Sequence, residues 1–147
     1  MKLVFLLITV FLAVFAKPAD RKDPLTLDFI RDYPIKIDGG CSFYTYDTTA
    51  FSKDKDILVV SAQKIAFVER GGEFIILHHV KRVLKPNGYT DYFTEPHYKI
   101  KLDVNLVKRV NDYSAEYAGS LQLSHGKSSK TIAVHGRNEE HNLRKLR

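Results

Sequence analysis

Cysteine occurs once in the 147-residue chain, at position 41. That scarcity excludes an intramolecular disulfide framework and a multi-cysteine zinc site. No Gly-x-Ser-x-Gly elbow is present to present a nucleophilic serine. No glycine-rich loop follows a strand pattern and opens a helix, so nucleotide binding has no support. An apolar run of the roughly 20 residues that a membrane-spanning helix requires is also missing. Eight glycines and five prolines fit a compact fold, and a chain that is 44% hydrophobic and 27% charged is neither disordered nor a polytopic membrane protein. The length is that of one domain.

The longest apolar stretch lies at the N-terminus. Lys2 is a short basic region, and Leu3–Phe15 is apolar except for Thr9. The pattern reads as a secretory signal over residues 1–16, with Val14 and Ala16 at the −3 and −1 positions of cleavage before Lys17. Pro18 stops the leader helix. An uncleaved anchor is the alternative. Cys41 lies too far beyond Phe15 to be a lipidation site. Cleavage leaves 131 residues, and loss of Lys2 lowers the formal charge from +6 to +5. A modest positive charge serves solubility or attracts anionic partners, and export makes cellular nucleic acid an unexpected one. The expected location is secreted or periplasmic, with no stable membrane span after cleavage.

Residues 17–40 read as a lead-in. Pro18, Pro24 and Pro34, with many charges, interrupt any sheet pattern, and Asp23-Pro24 reads as the start of a short helix through Leu25, Phe29 and Ile30. From Cys41 to about residue 136 the periodicity is that of strands. Tyr98, Ile100, Leu102, Val104 and Leu106 share one face of an alternating run, opposite Lys99, Lys101, Asp103 and Asn105. Tyr113–Ser124 repeats the device. In Ile65–Leu77, Gly71-Gly72 suits a two-residue hairpin turn that pairs Arg70 with Glu73, Val68 with Ile75 and Ala66 with Leu77. Both faces of that hairpin are apolar, as expected for a central position. Ile57–Val60 is a short buried strand, Lys85–Gly88 a turn, and His125–Ser129 a longer hairpin connection. Seven or eight strands at this spacing predict an all-β, antiparallel sandwich or small barrel. The charged tail 137–147 carries a faint helical pattern over Glu139–Leu146.

Candidate chemistry is sparse. His78-His79 resembles a metal pair, but neighbours on a strand point to opposite faces, and bringing His97, Glu95 or His135 alongside would need a pairing that the sequence does not show. No metal or cofactor is expected. Cys41 is a lone thiol that packs under the sheet or forms an intermolecular disulfide, which would make the chain an assembly subunit. Asp103 and Glu116, on the polar faces of two strands, are the one pair that could act as glycosidase carboxylates. As isolated carboxylates near lysines they read equally as surface charge. The remaining candidate is a ligand-binding loop Tyr89–His97 with Tyr89, Tyr92, Phe93 and His97, next to Lys99 and Lys101. Rings beside cations suit sugars and anionic glycans, although such a loop can also pack its own aromatics.

Gly40-Cys41-Ser42-Phe43-Tyr44, Phe51, Ile57-Leu58-Val59, Ile65-Ala66-Phe67, Gly72 and Leu77 together resemble a family of small secreted β-rich proteins of the Bacteroidetes type. Tyr98-Lys99-Ile100, Tyr117-x-Gly119-x-Leu121, Gly126-Lys127 and Val134-x-Gly136 extend the resemblance over most of residues 40–136. The family has no assigned activity, so the resemblance implies export and β architecture. Its frequent terminal Gly-x-Cys-Gly-Cys run is replaced here by Gly136-Arg-Asn-Glu-Glu140. Size, export and β content also give a looser likeness to the small barrels of periplasmic lysozyme inhibitors. The expected role is a non-enzymatic binding or inhibitory module whose partner is an anionic glycan or an exported protein. Envelope-glycan hydrolysis by Asp103 and Glu116, and assembly through Cys41, are the alternatives.

Overall fold

The structure, a computed structural model, describes Asp23 and residues 25–139 apart from 38 and 53. The leader at 1–16 and the tail beyond Glu139 lie outside the described residues. Eight antiparallel strands follow in chain order: β1 (Ser42–Tyr46), β2 (Leu58–Val60), β3 (Ile65–Arg70), β4 (Glu73–Lys85), β5 (Gly88–Thr94), β6 (Tyr98–Asn111), β7 (Ser114–His125) and β8 (Ser128–Glu139). Each pairs with its sequence neighbour, and β8 returns to β1, closing a barrel. The fold is therefore the barrel form of the expected all-β class. No helix occurs among the described residues.

Two-residue periodicity determines what enters the barrel. Tyr98, Ile100, Leu102 and Val104 of β6 join Leu121 and Leu123 of β7, Ile132 and Val134 of β8 and Leu77 of β4 in one interior cluster. The β3–β4 hairpin has the register read from its sequence, Arg70 opposite Glu73 and Ala66 opposite Leu77. Its turn residues Gly71 and Gly72 have φ of +61° and +81°, values that a side chain disfavours. Gly136 has a different role. A Cβ there would lie 2.2 Å from the Tyr44 ring and 2.5 Å from the Phe43 carbonyl oxygen, so only glycine lets that ring pass the β8 backbone.

Three sequence expectations are corrected. Asp23 does not start a helix: it makes one turn, accepting from the Leu25 N–H on Oδ1 and from the Thr26 N–H on its carbonyl, each at 3.0 Å. The chain then extends, because Leu25 and Leu27, two residues apart, both enter the barrel core, which a helix could not arrange. The connection after β7 is only Gly126-Lys127, since the strands run on to His125 and from Ser128. Strand β8 also continues three residues past 136, because Asn138 pairs with both Ser42 and Ala115.

The described part of the lead-in packs against the barrel. Tyr46 Oη donates to the Leu27 carbonyl at 3.0 Å, tying this segment to β1. Farther along, Ile30 packs with Val59 and Phe67 on the outer wall, with Tyr33, Ile37 and Phe43 around them. This cover explains why β2 and β3 are apolar on both faces.

Candidate functional site

Residues 89–94 form strand β5, not a loop. The turn is confined to Pro86 and Asn87, and Tyr89, Asp91 and Phe93 then alternate inward while Thr90, Tyr92 and Thr94 face out. Tyr89 (4% exposed) and Phe93 (1%) are therefore core residues. His97 sits in the β5–β6 turn, where its N–H donates to Glu95 Oε1 at 2.7 Å. Of the six candidate binding residues, the outer wall brings together Tyr92, Lys99 and Lys101.

These three line a groove of about 470 Å³ with Val80, Lys81, Gln122 and Ser124. Phe93 and Ile100 also border it, although their side chains belong to the interior. Strand register creates the grouping. Tyr92 pairs with both Lys81 and Lys101, and Lys101 with Gln122, so one row crosses four strands. A second row runs from Thr94 through Lys99 to Ser124. Lys81 Nζ lies 4.9 Å from the centre of the Tyr92 ring, a cation–π distance. The groove thus combines an aromatic face, three ammonium groups on apolar stems, and hydroxyl and amide groups.

Asp103 and Glu116 are not brought together. Their strands are neighbours, but Asp103 faces Ser120, four positions from Glu116. At about 3.3 Å per residue this places them roughly 13 Å apart along the strand, beyond the ~5–9.5 Å used by glycosidase pairs. Each is also occupied. The bond from Lys85 holds the Asp103 carboxyl below its usual range. Burial would raise Glu116, but Lys108 and Arg137, each at 3.3 Å, outweigh it and hold that group low as well. Cys41 is in no disulfide and is 2% exposed, so an intermolecular disulfide would first require its uncovering. His78 is exposed and His79 half-buried on the other face. Among the described residues no group of three or more His, Cys, Asp or Glu could hold a metal ion.

One polar constellation was missed by sequence reading. Arg82 grips Asp91 through Nε (2.8 Å) and Nη2 (2.7 Å), and His79 Nε2 lies 3.1 Å from the same carboxylate. The guanidinium stacks 3.9 Å from the centre of the Tyr89 ring, and the Tyr89 and Tyr44 hydroxyls are 2.5 Å apart. Burial pushes the phenols of Tyr44 and Tyr89 well above their ordinary range. A bulge at Val80 makes the cluster possible: it shifts the register between His79 and Lys81. His79 and Arg82, three residues apart, then share a face that unbroken alternation would deny them. The available signal was Asp91, a charge at inward parity between two aromatics.

Comparison with known families, with curated proteins and with solved structures gives no match. Its own geometry therefore carries the functional reading.

Proposed function

We propose that the protein is an exported, non-enzymatic module that binds an anionic glycan along the outer wall of β4–β7. The observation that carries this reading is the convergence of Lys81, Lys99 and Lys101 around Tyr92 in one groove. A sugar ring can lie on the tyrosine face, its carboxylates or sulfates can meet the ammonium groups, and Gln122 and Ser124 can bond its hydroxyls. The formal charge of +5 that remains after loss of Lys2 from the +6 of the full chain supplies long-range attraction to such a ligand. The leader pattern supports delivery to the envelope or beyond, in keeping with the resemblance to small exported β proteins. The separated, ion-paired Asp103 and Glu116 favour binding over hydrolysis.

The test is calorimetric titration with a heparin-derived hexasaccharide as the probe, at two salt concentrations. Lys99→Glu combined with Lys101→Glu should weaken binding by about tenfold or more and flatten its salt dependence. Equal affinity for the wild type and the double variant across salt rejects the reading.

A further inference from the structure

A second cavity lies on the wall formed by β1 and β8. It has a volume of about 420 Å³, within the range of roughly 300–1,000 Å³ typical of ligand pockets. Phe43 and Arg137, paired across β1 and β8, contribute to its wall. Tyr33 of the lead-in and Phe51 of the β1–β2 connection add two further rings, and Asp56 and Glu139 add carboxylates. None of these residues lines the β4–β7 groove.

The arrangement is more than a patch of aromatics. Tyr33 and Phe43 stand edge to face at 6.3 Å, with an interplanar angle of 68°. Phe51 stays 39% exposed even though Arg137 lies 5.7 Å from its ring centre. Asp56, only 4% exposed, accepts from Tyr33 Oη at 2.9 Å, which leaves its second oxygen outside that bond. Arg137 uses Nη2 on Glu116, while its buried Nε has no hydrogen-bond partner in the structure. The Arg137 side chain as a whole is 41% exposed, so an incoming acceptor can reach its guanidinium.

The wall chemistry selects the ligand. A simple cation would meet Arg137, and a simple anion would meet Asp56 and Glu139. A neutral ligand that both donates and accepts satisfies all three, and the rings require it to have an apolar face. We propose that this cavity is a binding site for a neutral pyranose. The C–H face of the sugar lies on the Phe51 ring and against Tyr33 and Phe43. Its hydroxyls donate to Asp56 and Glu139, and one ring or hydroxyl oxygen accepts from the accessible part of the Arg137 guanidinium. The site is separate from the anionic-glycan groove and does not depend on it.

Saturation-transfer difference NMR of the full chain with methyl glucoside, methyl galactoside and N-acetylglucosamine tests the proposal, with methylammonium and acetate as charged controls. At least one pyranoside should give transfer, and neither control should. Phe51→Ala should weaken that binding by about tenfold through loss of the ring contact. Arg137→Lys, which keeps the charge but removes the guanidinium donors, should weaken it as well and guards against a folding defect in the first variant. Lys99→Glu with Lys101→Glu should leave it unchanged, which separates this site from the β4–β7 groove. Absence of transfer from every pyranoside overturns the proposal, as does pyranoside binding indifferent to both Phe51→Ala and Arg137→Lys, or binding of a charged control alone.

Discussion

Asp56 makes the stability of the barrel depend on pH in an unusual direction. Burial pushes its carboxyl from 3.8 to about 6; the hydrogen bond from Tyr33 opposes the rise and Asp54 adds to it. Below the unfolded value both folded and unfolded chains carry the proton, and the group has no effect. Between the two values the folded chain holds a proton that the unfolded chain releases. The unfolded state then binds fewer protons, so stability falls as pH rises from about 4 to 6 and levels off above. A difference of roughly two pH units, at 1.36 kcal/mol each, gives about 3 kcal/mol as the full cost of ionising Asp56 in place. Asp56→Asn keeps an acceptor for Tyr33 and removes the charge. Urea unfolding of both proteins from pH 4 to 8 should show the variant gaining on the wild type as pH rises, by up to about 3 kcal/mol, with convergence near pH 4. Taking the difference removes the contributions of Asp103 and Glu116, which are held low and act in the opposite sense. A difference that is constant with pH, or that favours the wild type at high pH, would refute the reasoning.

Other perturbations probe separate parts of the molecule. Asp91→Ala removes the two bonds that Arg82 makes to the Asp91 carboxylate; the loss should approach about 3 kcal/mol in urea unfolding, near the low end for a broken buried pair because Arg82 keeps some contact with water. A loss below about 0.5 kcal/mol, the range of neutral surface changes, would show that the pair does not matter to the fold. Gly136→Ala forces a methyl group against Tyr44 and the Phe43 carbonyl and should cost about 1–3 kcal/mol, read as a lower denaturation midpoint; an unchanged midpoint would mean that β1 and β8 are looser than described. Cys41 should resist a thiol reagent in the folded protein and react fully in denaturant, and a band that changes mobility with reductant would contradict its burial.

The barrel was legible because alternation is a local signal. Tyr98 through Val104 states which face is buried, and Gly71-Gly72 fixes a hairpin register without knowledge of the rest of the chain. Closure was not legible, since pairing of β8 with β1 joins residues nearly a hundred positions apart and leaves no mark in either strand alone. The lead-in misled because Asp23 does cap a turn; what ends that turn is the distant barrel interior, which draws in Leu25 and Leu27. The candidate site was half legible. Lys99, Lys101 and Tyr92 were named, but assigning Tyr89 and Phe93 to a loop concealed that their strand sends them inward. Lys81, Gln122 and Ser124 enter the groove only through cross-strand register. The Arg82–Asp91–His79 cluster depends on a bulge that changes the phase of β4 mid-strand, which simple alternation cannot foresee.

The central functional claim is that an anionic chain lies on the outer wall of β4–β7. Backbone amide shifts mapped during titration with the heparin-derived hexasaccharide test it most directly. The account predicts saturable shifts concentrated at Lys81, Tyr92, Lys99, Lys101, Gln122 and Ser124. Shifts centred elsewhere on the barrel, or none at a saturating excess of the hexasaccharide, would contradict it.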